Sequence, residues 1–109
     1  MEATTPKEFI EKELPAKFDG EKAAGLTAVV QFKIAGDNGG EWFINIKDKK
    51  LEVNQGVSPS PNITLSMKDA DYMALVTGKL SGQKAFMTGK LKFKGDMALG
   101  MKLQKLGFI

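Results

Sequence analysis

Between Leu26 and Ile46 the apolar residues recur at every second position. Leu26, Ala28, Val30, Phe32 and Ile34 alternate with Thr27, Val29, Gln31 and Lys33, the period of a strand with one buried face. Gly36-Asp37-Asn38-Gly39-Gly40 is a turn cluster. Trp42, Ile44 and Ile46 then alternate with Phe43, Asn45 and Lys47, so the chain comes back as a hairpin. Asp48-Lys49-Lys50 turns it again into Leu51 and Val53. Ile63, Leu65 and Met67 make a short fourth strand, and Lys90 to Lys94, carrying Leu91 and Phe93, a fifth. A sheet that buries one face needs a second layer to cover it.

Helices supply that layer. Thr5-Pro6-Lys7-Glu8 is a capping box with proline at the first helical position, followed by Phe9, Ile10 and Leu14 at helical spacing. Pro15 is expected to end or bend this helix, with short turns at Ala16 to Phe18 and Glu21 to Gly25. Ser66 with Asp69 predicts a helix over Met67 to Thr77, stopped by Gly78. Ser81 starts another, stopped by Gly89. Asp96 caps a last helix, Met97 to Leu106, whose apolar residues spread over two sides, so that one side faces something besides an ordinary core. Gln55 to Asn62, with Pro59 and Pro61, reads as a surface loop. The expectation is a single α+β domain over residues 1–109, with a five-stranded, mostly antiparallel sheet covered by helices on one face.

What the chain lacks narrows its chemistry. Its 109 residues contain no histidine and no cysteine. A Ser–His–Asp or Cys–His arrangement, a His-ligated metal or haem and a thiolate site are therefore all excluded. No phosphate loop, dinucleotide fingerprint or calcium loop occurs; T-G-K at Thr77 and at Thr88 lacks the partners of a phosphate loop and reads as a helix stop. We expect no enzyme, no catalytic residue, no metal and no cofactor. No apolar run approaches the roughly 18 residues that cross a bilayer, and the N-terminus lacks a secretory core, so the expected place is the cytoplasm.

The net charge of +3 is unevenly spread. From Lys79 onward there are seven lysines and one acid, Asp96; before it there are nine lysines and twelve acids. Arginine is absent, which argues against nucleic-acid recognition. The lysines read either as a solvated face or as a diffuse attraction toward anionic lipid headgroups, with transient contact at an anionic membrane surface as a further expectation.

Candidate binding residues lie on the same elements. Trp42 is large enough to floor a cavity or to fill a core. Met67, Met73, Met87, Met97 and Met101 suit a surface that adapts to its contents, or fill gaps in a core. Gln83 and Gln104 sit beside Phe86 and Met87, and beside Met101 and Leu103. Such amides either face solvent or orient the polar end of a ligand in an apolar cavity.

From Thr77 to Gln104 the chain reads T-G-K-L-S-G-Q-K-A-F-M-T-G-K-L-K-F-K-G-D-M-A-L-G-M-K-L-Q. That string resembles the C-terminal half of the sterol carrier protein 2 (SCP-2) family of lipid-binding domains. The likeness continues back through D-A-D-Y-M-A-L-V and W-F-I-N-I-K, spanning nearly all of the chain. The resemblance implies an apolar tunnel between sheet and helices that holds a fatty acid, acyl-CoA, sterol or phospholipid. It implies a lining of Trp42, Gln83, Phe86 and Gln104, with Met97, Met101 and Leu103 on the last helix; Met87 joins the candidate ligand-binding residues as an adaptable thioether. Peroxisomal members end in a targeting tripeptide that Gly107-Phe108-Ile109 does not match; the expectation is a freestanding cytoplasmic protein whose apolar tail closes one end of the tunnel. The alternative is an interaction module whose apolar groove takes a segment of a partner protein.

Overall fold

The computed structural model describes residues 4–106 and residue 108. Gly107 and Ile109, which flank Phe108 in the expected apolar tail, lie outside the described residues. The strands are β1 (Ala28–Ala35), β2 (Gly40–Lys47), β3 (Lys50–Gln55), β4 (Ile63–Lys68) and β5 (Lys92–Gly95). They form one sheet in the order β3-β2-β1-β4-β5. All neighbours are antiparallel except β1 and β4. Phe32 stands opposite Trp42 on one side and Leu65 on the other. The period-two pattern therefore aligns across three strands, and its apolar members share one buried face.

The helices on that face are α1 (Pro6–Glu8), α2 (Leu14–Lys17), α3 (Asp69–Val76), α4 (Gly82–Met87) and α5 (Met97–Lys105), with Phe9–Glu13 forming a π-helical turn between α1 and α2. Their starts follow the sequence. The Thr5 hydroxyl accepts the Glu8 N–H at 3.3 Å, Ser81 accepts that of Lys84 at 3.1 Å, and Asp96 accepts those of Ala98 and Leu99. Gly78 and Gly89 take φ of 84° and 78°, the left-handed conformation of a helix stop.

Three expectations change. Pro15 does not end the first helix: Leu14 keeps helical angles and the helix runs on to Lys17. The π turn, in which the Leu14 N–H reaches the Phe9 carbonyl, widens the coil just ahead of the proline ring. The helix expected from Met67 begins at Asp69, because Ser66, Met67 and Lys68 pair with β1 as the end of β4, and ladder pairing prevails over local capping. Last, β5 spans Lys92–Gly95 rather than Lys90 to Lys94, since Lys90 and Leu91 close the turn after α4 through the Ala85 carbonyl.

The parallel β1–β4 pair requires the chain to cross the sheet after β3, and residues 56–62 make that crossing on the face away from the helices. Gln31 ties it down. Its amide donates to the carbonyls of Trp42 and Gly56, while its own carbonyl accepts the Ser58 N–H at 2.7 Å. It is the one polar residue buried among the described residues, and its buried amide is satisfied. We expect Gln31→Ala to lose about 1–3 kcal/mol in urea unfolding, because the Ser58 N–H and Gly56 carbonyl are left without their partner.

Asp69 ties the β1–β2 turn to α3. Its carboxylate accepts the N–H groups of Asn38 and Ala70 at 3.0 and 2.8 Å, which hold its pKa below the ordinary 3.8. A lowered pKa stabilises the ionised form, so this contribution is present above pH 3.8 and disappears as the pH falls through the folded-state value. Asp69→Asn should therefore lower Tm at neutral pH, and the difference should shrink in acid.

Candidate functional site

Between sheet and helices lies an aromatic cluster. Tyr72 of α3 packs edge-on against Phe32 at 5.7 Å and against Phe9 at 5.9 Å. Phe108 stacks over Phe32 at 6.5 Å and meets Phe18 edge-on at 6.3 Å. Tyr72, Phe32 and Phe108 are fully buried. The Tyr72 hydroxyl donates to the Phe108 carbonyl at 3.1 Å, and burial raises its pKa, so it stays a neutral donor rather than a base. These rings pack in the layer between β1 and the helices.

Trp42 belongs to this interior. It is buried on β2, and its indole N–H donates to the half-buried Glu11 carboxylate at 2.8 Å. The N-terminal helix thus covers the tryptophan and satisfies its polar edge.

The other expected lining residues gather elsewhere. Gly100 seats α5 on Ile63 and Phe93, and Leu103 of the same helix is fully buried. Across Phe93 lies α4, with the Phe86 ring 5.5 Å from that of Phe93. A Cβ on Gly82 would stand 2.9 Å from the Gln104 amide nitrogen, so the two helices approach where a side chain on α4 would obstruct Gln104. Gln83 and Gln104 are both exposed. So are Phe86, Met87, Met97 and Met101, at 47, 75, 47 and 68%. Gln83, Phe86, Met87, Met97, Met101 and Gln104 are thus open to solvent on α4 and α5, with Phe86 also against Phe93 and Gln104 beside Gly82. Trp42 lies three strand spacings from β5, about 14 Å across the sheet.

A cleft of 460 Å³ opens at the C-terminal end of α5, where Leu26 and Leu106 form the floor beside Lys22, Lys102 and Lys105. Among the described residues no cluster of His, Cys, Asp or Glu could hold a metal, and no helix is long and apolar enough to cross a membrane.

Glu11, Phe9, Phe18, Phe32, Tyr72, Phe93 and Phe108 also belong to this interior and were not among the expected lining residues. Phe32 and Phe93 were legible as inward strand positions. Glu11 carried no signal, because its role depends on the N-terminal helix lying over β2. Phe108 belonged to the expected tail, and its burial depends on α5 ending above Phe32.

The fold as a whole recurs in solved structures. The chain matches the SCP-2 sterol transfer family over residues 8–107. It belongs to that family. It is 44% identical over 80 residues to hydroxysteroid dehydrogenase-like protein 2 of Bos taurus, covering 72% of this chain and 19% of that protein. It is 38% identical over 102 residues to human sterol carrier protein 2, covering 90% of this chain and again 19% of the relative. The chain thus spans about a fifth of the length of these curated relatives. The solution structure of palmitated SCP2L2 from Aedes aegypti superimposes with a TM-score of 0.73 at 27% identity, covering 94% of each chain.

The hydrogen bond at the centre of the aromatic cluster can be removed alone. Tyr72→Phe should keep the ring packing and cost about 1 kcal/mol. Hydrogen exchange at the Phe108 amide, bonded to the Leu103 carbonyl at 3.0 Å, should accelerate more than exchange in β1.

Proposed function

We propose that this SCP-2 domain is a non-catalytic lipid-binding and lipid-transfer protein that holds a fatty acid, acyl-CoA, sterol or phospholipid. The observation that carries this reading is the family match over residues 8–107. The likeness to palmitated SCP2L2 supports an acyl chain as one ligand class. The site we assign is Trp42, Gln83, Phe86, Met87, Met97, Met101, Leu103 and Gln104. Phe86 and the methionines of α4 and α5 meet the chain, Leu103 and Trp42 lie deeper, and the glutamine amides orient polar groups. Each methylene removed from water contributes about 0.8 kcal/mol, so a chain of about ten brings about 8 kcal/mol before ordering costs. Flexible thioethers suit that role, because they repack around chains of different shape.

Non-catalytic status is supported by the absence of histidine and cysteine and by a buried tyrosine held neutral. The dehydrogenase-like relatives carry their name as proteins about four times as long, and this chain has no dinucleotide fingerprint to bring that chemistry to it. The proposal includes transient contact with an anionic membrane surface, no nucleic-acid partner and residence in the cytoplasm, consistent with a lysine-rich sequence free of arginine and cysteine.

Denaturing extraction of the purified protein followed by mass spectrometry should release lipid near one molecule per chain. Phe86→Ala combined with Gln104→Ala should weaken binding of a fluorescent acyl chain about tenfold, roughly 1.4 kcal/mol. An empty extract together with no uptake of the added chain would overturn the carrier reading and favour a groove for a partner segment. Uptake unchanged by the double substitution would remove α4 and α5 from the site.

A further inference from the structure

Five large apolar residues are exposed among the described residues, and four of them, Phe86, Met87, Met97 and Met101, lie on α4 and α5. The fifth, Val57, is on the crossover loop behind the sheet. Apolar exposure is therefore concentrated on one outer face, above Phe93. That part of the chain is also the cationic one. Lys79, Lys84 and Lys90, on and beside α4, and Lys102 and Lys105 of α5 are all exposed, whereas Lys92 and Lys94 alternate with Phe93 and stand on the other face of the sheet. The one acid in this stretch, Asp96, has its carboxylate turned to the N–H groups of Ala98 and Leu99 as the cap of α5.

From this juxtaposition we infer that the α4–α5 face docks on an anionic bilayer, with Phe86, Met87, Met97 and Met101 entering the acyl region and the lysines around them meeting the headgroups. The inference rests on the lipid-carrier reading, and it turns the proposed binding region into a portal through which a chain passes from bilayer to protein without crossing water. Charge complementarity selects this occupant. A second copy would bring two strongly cationic faces together, which repel. A peptide partner with fixed carboxylates favours bidentate arginine, whereas a diffuse layer of anionic headgroups is matched by lysines, whose flexible stems lie along apolar surface while their ammonium groups stay at the interface. The remainder of the chain, with nine lysines and twelve acids, is repelled by the same membrane, so the charge distribution also orients the approach.

Co-sedimentation with vesicles tests the docking, and uptake of a dissolved fluorescent acyl chain, measured without vesicles, tests carriage separately. The protein should bind vesicles of phosphatidylcholine and phosphatidylglycerol at roughly three to one far better than phosphatidylcholine alone. Raising the salt from about 0.05 to about 0.5 M should weaken that binding. Lys84→Glu with Lys90→Glu should reduce vesicle binding about tenfold while uptake of the dissolved chain stays at the wild-type level. Met87→Asp with Met101→Asp, at positions open to water and with an unchanged fold checked by circular dichroism, should also lose vesicle binding about tenfold. Equal binding to neutral and anionic vesicles, wild-type binding by either double variant, or a dimer in sedimentation that conceals Met87 and Met101 would overturn the inference. Vesicle binding without any uptake of the dissolved chain would leave the docking face standing and overturn the carrier reading instead.

Discussion

Phe32 is where the two layers of the molecule meet. Its ring is fully buried at the middle of β1, aligned across the sheet with Trp42 and Leu65, with Tyr72 and Phe108 packed above it. Each neighbour arrives from a different part of the chain: β2, β4, α3 and the segment after α5. A ring of this size contributes about 1.5–3 kcal/mol on burial, and here only assembly of all four segments buries it fully. The Tyr72 hydroxyl adds direction to that packing by holding the Phe108 carbonyl. The same cluster packs the layer between β1 and the helices.

That crowding shapes the division of the candidate site. Trp42 is covered by the N-terminal helix and bonded to Glu11, whereas α4 and α5 hold their apolar and amide side chains outward over Phe93. A ligand bridging the two regions would have to displace part of the cluster or enter beside it. Short elements favour such a change: α4 spans only Gly82–Met87, and its bounding glycine Gly89 sits in the left-handed region. Helices of this length are marginal by themselves and depend on packing, so they move at lower cost than the strands beneath them.

Charge follows the same partition. The acidic side chains belong mainly to the N-terminal helix, the turns and the start of α3, where several have structural work: Glu8 and Asp69 at helix starts, Glu11 against the indole. Among the described residues the lysines of the last third have no comparable side-chain partners, and Lys84, Lys102 and Lys105 share α4 and α5 with the most exposed apolar side chains. Folding therefore leaves the exposed methionines and Phe86 on two helices that carry lysines and no acid.

Much of this was determined by the sequence alone. Period-two alternation predicts the strands and their buried sides, because a pleated strand sends alternate side chains to opposite faces. Thr5, Ser81 and Asp96 predict helix starts, and Gly78 and Gly89 predict stops, because those signals act within a few residues. Local signals fail where a distant partner competes: Ser66 reads as a cap but pairs with β1, and Pro15 reads as a stop but follows a π turn packed on the sheet. The candidate site is only partly legible for the same reason. Composition brings out the methionines, whereas Trp42, Gln83, Phe86 and Gln104 stand out through the resemblance to the family. Their exposure, the burial of Phe108 and the Trp42–Glu11 bond were decided by the tertiary structure, because each depends on which segment comes to lie over which strand.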